Sequence, residues 1–207
     1  IARVAKAAKA ATEAFVQGMP IGDGAGPFVA ASLMKSKAKL FKSEEFAISR
    51  ERIAGRTVWV AKAMGPGAST GKPGRLISDF SRRNRITRII TVDAALKLEG
   101  EKAGSVAEGV GVAMGGVGVE RYEIENFAVS KGLPLDAVAI KVSEEEALEP
   151  MKKEVLEAMP KAIEVTRAVI ARSKPKERIL LIGVGNTCGI GNSTGASEDA
   201  AGKLRRY

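Results

Sequence analysis

The sequence contains no histidine and only one cysteine, and these absences exclude several kinds of active site. A Ser-His-Asp triad, a Cys-His dyad and a His-ligated zinc site all require histidine. A single cysteine, Cys188, cannot form an internal disulfide, which favours a reducing compartment. Any chemistry must therefore come from carboxylates, lysines, hydroxyls and the backbone.

Long apolar runs are missing as well. The sequence has no stretch of eighteen apolar residues and no signal-peptide pattern, so it predicts no membrane span and no membrane contact. We therefore expect a cytoplasmic protein. Because Ile1 is not an initiator residue, we also expect the chain to continue upstream, where a membrane anchor would leave no trace in these residues.

The apolar residues that are present suffice for a core. The chain has 207 residues, of which 45% are hydrophobic, and this permits the burial of a full core in one domain. We expect residues 1–207 to form a single α/β domain, the C-terminal part of a longer chain.

Basic residues outnumber acidic residues by 33 to 24, and the resulting net charge of +9 attracts polyanions. Much of the positive charge lies between residues 75 and 88, for which two interpretations are open. The first is a solvated helix face, which is favoured because no aromatic residue stands between Arg82 and Arg88 for base stacking. The second is a nucleic-acid-binding surface formed by Arg82, Arg83, Arg85 and Arg88.

The apolar pattern predicts a mainly parallel sheet. Residues 89–92, 137–142 and 179–182 are short β-branched or aliphatic runs, which are typical of buried parallel strands. Two further strands, over residues 46–53 and 56–62, are predicted to form a hairpin around Ala54-Gly55. Because helical segments lie between the runs, the sequence predicts a three-layer α/β/α sandwich.

Three helices are predicted with specific boundaries. An Ala- and Lys-rich helix is expected over residues 2–16, and a second is expected to begin near Pro27. The longest is expected to run over residues 144–172 with Ser143 as its cap, because its apolar residues recur every three or four positions. Pro160 is expected to kink this helix or to split it in two.

Two glycine-flanked acidic motifs form the candidate site. The first surrounds Asp23 over residues 22–27, and the second surrounds Glu108 and continues through the glycines to residue 118. Glycine beside a carboxylate lets the backbone approach a ligand closely, so two such motifs predict one shared site. Asp93 follows a predicted strand, where α/β folds place ligands. The predicted ligand-binding residues are Asp93, Gly24, Gly26, Gly109, Gly115 and Gly118.

Structural alternatives are open for these residues. Asp23 is equally suited to cap the helix that follows it, and Asp93 is equally suited to stabilise a turn. The charged run over residues 97–101 is interpreted as solvated, with a Mg²⁺ cluster around Asp93 as the less favoured alternative. Cys188, beside a buried strand and without histidine, is predicted to be an inert thiol.

Two glycine-rich loops resemble nucleotide-binding motifs without matching them. In residues 66–73 the leading glycine is out of register, and Pro73 replaces the Ser or Thr that holds Mg²⁺ in a P-loop. Residues 183–189 follow a strand, but their spacing differs from the dinucleotide fingerprint and no ribose-binding acid follows. A nucleotide-binding enzyme is therefore disfavoured.

Residues 19–27 and 182–192 resemble an archaeal family of unknown function. A more distant resemblance is carried by the order of several motifs: Ala63-Met64-Gly65-Pro66-Gly67, Thr70-Gly71, Val92-Asp93-Ala94-Ala95, residues 105–110 and residues 115–118. In this order they are similar to the spore germination protease, which shares the fold of the hydrogenase maturation proteases. The resemblance covers residues 19–142 and implies a phosphorylase/hydrolase-like, maturation-protease-like α/β fold.

The resemblance to these proteases implies that Asp23 and Glu108 are the catalytic acids. The family's Pro-Asp-Ala-Leu-Gly-Pro motif falls on residues 22–27, and its Asp-Thr-Gly motif falls on residues 108–110. In such a pair, one carboxylate acts as general base on water while the other protonates the leaving group. The implied function is a peptidase-like hydrolase acting on a polypeptide. The histidine that binds metal in maturation proteases has no counterpart here, so we expect no metal ligand set and no cofactor.

Two departures from the protease pattern define a rival hypothesis. Glu108 stands where the family has aspartate, and the family's Gly-Leu-Gly-Asn turn, which precedes the first aspartate, resembles residues 183–186 near the C-terminus. A permuted connection would place that turn in the same sheet. The rival function is a non-catalytic basic module that binds nucleic acid or a large complex.

Overall fold

The computed structural model describes residues 2–42, 45–111 and 118–207, with backbone alone for residues 2–7 and 118–121. The helices of these residues are α1 (Ala2–Gln17), α2 (Ala25–Leu33), α3 (Pro73–Asn84), α4 (Gly118–Lys131), α5 (Glu144–Leu148), α6 (Lys153–Arg172) and α7 (Thr194–Leu204). The strands are β1 (Lys39–Phe41), β2 (Phe46–Ile53), β3 (Arg56–Ala63), β4 (Arg88–Leu96), β5 (Val106–Val110), β6 (Leu135–Val142) and β7 (Arg178–Gly183). A 3-10 turn, Gly22–Gly24, precedes α2.

All seven of these strands lie in one mixed sheet, in the order β1-β2-β3-β7-β4-β6-β5. The four neighbours β3, β7, β4 and β6 are parallel, and β1, β2 and β5 pair antiparallel at the two sides. The predicted α/β class and the placement of the four predicted strands in one sheet are therefore confirmed. The sheet is mixed instead of mainly parallel, because three of the six pairings among the described strands are parallel and three are antiparallel. The last described strand, β7, lies at the centre of the sheet between β3 and β4, so the turn that follows it belongs to the same sheet.

The predicted hairpin is confirmed. Strands β2 and β3 pair without interruption from Ile53–Arg56 to Phe46–Ala63. Between them Ala54 has φ 47° and Gly55 has φ 76°. Positive φ at both loop residues characterises the two-residue turns whose twist matches that of the adjoining strands.

Two apolar clusters use alternate side chains of the same strands. Val58 and Val60 of β3 belong to the first cluster, which also contains residues of α2, α6 and α7. Trp59 and Ala61 belong to the second cluster, which contains residues of α3 and α4. Successive side chains of a strand point to opposite faces, so the clusters lie on opposite faces of the sheet. Each large aliphatic side chain buried in them contributes about 1.5–3 kcal/mol.

The segment predicted as one helix over residues 144–172 is two helices, and the break lies at Pro150 instead of Pro160. Ser143 caps α5 as predicted, in a reciprocal arrangement with Glu146. Glu149 then has extended geometry, with φ −82° and ψ 161°, as expected for a residue that precedes proline. The prediction that Pro160 splits the helix was therefore wrong, and a kink at Pro160 stays a prediction.

Helix α6 continues through Pro160 because its apolar stripe is buried on both sides of that residue. Val155 and Met159 precede the proline, and Thr166 and Ile170 follow it; all four are buried. This packing offsets the missing N–H of Pro160 and holds α6 in one piece. None of the described helices is long and apolar enough to cross a membrane.

Candidate functional site

The carboxyl ends of β3, β7 and β4 meet at one edge of the sheet, which we call the carboxyl edge. Three glycine-containing segments meet there: the turn Gly22–Gly24, residues 64–72 after β3, and residues 184–192 after β7. The carboxyl ends of parallel strands are where α/β folds place ligands. These three segments therefore form the candidate site.

The segment around Asp23 packs directly on the carboxyl edge, although more than a hundred residues separate it from β7. A Cβ atom at Gly26 would collide with the carbonyl oxygens of Val184 and Val92. A Cβ at Gly185, which has φ 124°, would collide with the carbonyl oxygen of Asp23. The absence of a side chain at Gly26 and Gly185 therefore permits this approach.

Asp23 is half-buried, and its carboxylate is anchored through one oxygen. The backbone N–H of Asn186 donates to Oδ2 at 2.8 Å, whereas Oδ1 accepts no hydrogen bond from any described residue. Burial raises the pKa of Asp23 above 3.8, and the Asn186 hydrogen bond opposes that shift. The carboxyl group is thus oriented by the backbone and retains one free oxygen.

The alternative in which the Asp23 side chain caps α2 is wrong. The residue at the N-cap of α2 is Gly24, and no side chain caps this helix. The Asp23 carboxylate instead points to the turn after β7.

Thr187 fixes the two loops of the carboxyl edge to each other. Its side chain is fully buried, and its Oγ1 lies 2.7 Å from the Gly67 carbonyl oxygen and 3.0 Å from that of Ser69. The neighbouring Asn186 closes a tight turn by accepting the Cys188 N–H at 2.9 Å. The donor that holds Asp23 therefore sits on a rigid support.

Lys62 lies beneath the same loops and was not among the predicted site residues. It is 0% exposed, and its Nζ donates to Ala63 O at 2.8 Å, to Asn192 Oδ1 at 3.0 Å and to Ile190 O at 3.3 Å. No carboxylate of the described residues pairs with it. Burial lowers the pKa of Lys62 from 10.5 to about 7. The sequence contains one weak signal, a lysine at the end of the apolar run Val58–Ala61, three residues before Gly65-Pro66.

Asp93 lies on β4 at the same edge and is only 2% exposed. Its Oδ1 accepts the N–H of Ala94 at 2.7 Å. The charged residues that follow form pairs elsewhere, Lys97 with Glu146 and Glu101 with Lys141. No group of three or more acidic or cysteine side chains within the described residues is placed to hold a metal ion.

The structure does not bring Glu108 to Asp23. Glu108 is exposed on the outermost strand β5, opposite Val138, and Arg172 at the end of α6 donates to its Oε2 at 2.8 Å. Gly24 and Gly26 lie at the carboxyl edge, whereas Gly109 is exposed beside Glu108. The remaining predicted glycines are Gly118, which begins α4, and Gly115, which lies outside the described residues.

The predicted basic surface is divided. Arg82, Arg83 and Arg85 are exposed on or just after α3, but Arg88 is occupied by ion pairs with Asp136 and Glu177.

Cys188 is buried, and burial raises the pKa of its thiol, which disfavours the nucleophilic thiolate.

The comparisons with known proteins give one family. The family described as "Domain of unknown function (DUF1512) C-terminal" matches residues 21–191, which include the Asp23 turn, Lys62, Asp93 and the turn after β7. None of the curated proteins matches the chain.

Proposed function

Because the chain belongs to the DUF1512 C-terminal domain family, whose function is unknown, we propose its function from the site itself: a hydrolase in which Asp23 transfers the proton. The substrate we propose is a peptide bond in an unstructured polypeptide. A three-layer α/β/α arrangement of the maturation-protease type is part of this proposal, and the apolar clusters on both faces of the sheet support it.

The hydrogen bond from the Asn186 N–H to Asp23 is the observation that carries the proposal. In the proteases that this chain resembles, the Gly-Leu-Gly-Asn turn precedes the first catalytic aspartate in the sequence. Here the corresponding residues are 163 positions apart in the sequence, and yet they are hydrogen-bonded. The resemblance to those proteases implies that these two segments are neighbours, and their hydrogen bond supports the proposal.

The proposed reaction needs one carboxylate that changes its protonation state. Ionised Asp23 takes a proton from water through the free Oδ1 while the water oxygen attacks the scissile carbonyl carbon. The C–N bond then breaks, and Asp23 returns the proton to the leaving amine. The products are a carboxylic acid and an amine, so the proton taken from water is accounted for.

Burial of Asp23 suits this role. A carboxyl group with a raised pKa is a stronger base when ionised and is more readily protonated in the intermediate than an exposed aspartate. Lys62 acts as a positioning residue, because its Nζ holds Ile190 and Asn192 in the loop that also carries Asn186. It is fully buried and does not touch substrate.

Two isosteric variants test the proposal. We expect Asp23→Asn to abolish cleavage of a reduced, alkylated protein substrate, because an amide cannot take the proton. We expect Glu108→Gln to retain cleavage, because Glu108 is exposed and already paired with Arg172. Both variants should keep the wild-type far-ultraviolet circular dichroism.

The outcomes are distinct. Failure of the wild-type protein to cleave any member of a panel of unstructured polypeptides would overturn the peptidase proposal. Loss of cleavage in the folded Glu108→Gln variant would instead restore the pair of Asp23 and Glu108 that the protease resemblance implies.

A further inference from the structure

A cavity lies on the other face of the sheet from α2, between α3 and the strands β1, β2 and β3. Its volume is about 430 Å³, within the range of small-molecule sites. Its apolar walls are formed by Phe41, Ile48, Trp59, Leu76 and Phe80. We call this cavity the aromatic pocket.

Three aromatic rings from different elements define the pocket. The Phe41 and Phe80 rings meet edge to face, with centroids 5.8 Å apart and planes at 86°. The Trp59 ring lies 6.2 Å from Phe80 with an interplanar angle of 69°. Phe41 is half-buried and is the ring most open to a ligand, whereas Trp59 and Phe80 are each 7% exposed and form the floor of the pocket.

The rim of the aromatic pocket is uniformly basic. Among its lining residues that the structure describes, four carry positive charge and none is acidic; the four are Lys37, Lys39, Arg50 and Arg83. All four are exposed, and the Arg50 guanidinium lies 5.5 Å from the centroid of the Trp59 ring. A cluster of cations without carboxylates attracts anions and is well suited to phosphate.

We propose that the aromatic pocket binds a phosphorylated nucleoside. The apolar aromatic walls match the planar, weakly polar face of a base, and the basic rim matches the phosphate at its other end. Helix α3 itself contributes one aromatic residue, Phe80, beside its arginines. The fold adds Phe41 from β1 and Trp59 from β3, so that Arg83 lies at the same pocket as all three rings.

This site is independent of the proposed hydrolase. It uses none of the residues at the carboxyl edge, and its lining elements are β1, β2, β3 and α3 together with residues 36–37. Two kinds of ligand contain a phosphorylated nucleoside: a free mononucleotide, and a single-stranded nucleic acid of which one nucleotide occupies the pocket. Both present a base beside a phosphate, and the experiment separates them.

Trp59 is the only tryptophan of the chain and lines the pocket, so its fluorescence reports binding directly. The protein would be titrated with UMP, uridine, inorganic phosphate, phenyl phosphate and a short oligouridylate, with excitation at the red edge of the tryptophan band. Free N-acetyltryptophanamide corrects for absorption by the ligands. We expect saturable quenching by UMP, with at least roughly tenfold weaker binding of uridine and phosphate, because each lacks one half of the recognised structure.

Two neighbouring arginines provide a matched pair of variants. Arg83 lines the aromatic pocket, whereas Arg82 is turned to the Phe127 ring, 6.0 Å from its centroid. We expect Arg83→Gln to weaken UMP binding roughly tenfold and Arg82→Gln to leave it unchanged, although both remove one charge from exposed positions of α3. Unfolding curves of both variants check that the fold is retained.

The ligand series assigns the source of the nucleotide. Equal affinity for UMP and oligouridylate supports a free nucleotide. Tighter binding of the oligomer, with a salt dependence that steepens with its length, supports a single strand. The proposal is overturned if UMP does not bind, if phosphate or phenyl phosphate binds as tightly as UMP, or if Arg82→Gln and Arg83→Gln weaken binding equally.

Discussion

Asp23 occupies a position that disfavours its own ionised form. Burial raises its pKa, so between 3.8 and that raised value the folded protein binds more protons than the unfolded chain. Stability is therefore lost as pH rises through this window, and the loss persists at neutral pH. A residue that lowers stability where it stands is typical of a functional position.

We therefore predict that Asp23→Asn stabilises the protein at pH 7. Asparagine keeps an oxygen that accepts the Asn186 N–H but removes the buried charge, and we expect a gain of about 0.5–2 kcal/mol. Urea unfolding of both proteins measures the difference, which should shrink below pH 4. A loss of stability at pH 7 would instead make Asp23 a structural residue.

The lowered pKa of Lys62 predicts a second pH dependence of stability, opposite in sign to that of Asp23. Its folded pKa of about 7 lies below the ordinary value of 10.5, so between these values the unfolded chain binds more protons. The wild-type protein should gain stability as pH rises through this window, on the order of a few kcal/mol for a fully buried group. Lys62→Met should remove that gain.

Urea unfolding at several pH values between 7 and 10 measures the dependence on Lys62. Lys9→Met is the matched control, because Lys9 is exposed on α1 and its substitution should leave the slope unchanged. Parallel pH profiles of wild type and Lys62→Met would contradict the buried, perturbed amine.

At the scale of elements, the contact of α2 with the carboxyl edge depends on a bare backbone at Gly26. An added Cβ would strike two carbonyl oxygens that belong to β4 and to the turn after β7, and neither is free to move. We predict that Gly26→Ala destabilises the protein by about 1–3 kcal/mol or more, although alanine is the better helix former.

Gly195 is the matched control for Gly26, because it also lies in a helix but no atom lies within 4 Å of its added Cβ. We expect Gly195→Ala to be neutral or to stabilise by up to about 1 kcal/mol. Thermal unfolding of the two variants measures the contrast. Equal effects would mean that α2 does not rest on the strands as described.

Local patterns predicted most of the elements. The aliphatic runs of β4, β6 and β7 and the Ala54-Gly55 hairpin follow from side-chain periodicity and turn chemistry, which act over a few residues. Pro160 was misjudged because the packing of α6 overrides the local cost of proline. The edge position of β5 depends on long-range pairing, so the separation of Glu108 from Asp23 had no local signal.

Only part of the candidate site could be predicted, because the rest depends on contacts between residues far apart in the sequence. Asp23 was identified from its glycines, whose tight contacts the structure explains. Lys62 looked like an ordinary strand residue, because its burial arises only when the loop after β7 covers it. The aromatic pocket joins Phe41, Trp59 and Phe80, and only the sheet order brings these residues together.

At the scale of the whole molecule, protection of backbone amides from hydrogen exchange should be greatest at the centre of the sheet and least at its sides. Residues 179–182 of β7 are completely buried and pair with strands on both sides, whereas β1 and β5 each pair on one side. We predict the slowest amide hydrogen exchange in β7 and β4 and the fastest strand exchange in β1 and β5. Mass spectrometry of pulse-labelled peptides measures this order, and equal protection of β5 and β7 would contradict it.

The central position of β7 in the sheet has a consequence for folding during synthesis of the protein. Ribosomes make the chain from its amino end, so β3 and β4 emerge long before the strand that must lie between them. Until β7 enters, neither the Asn186 donor nor the cover over Lys62 exists, and Asp23 has no anchor. The proposed hydrolysis therefore requires the insertion of β7 between β3 and β4, which is a late step of folding. A nascent chain, or one that ends before β7, would not hydrolyse other polypeptides.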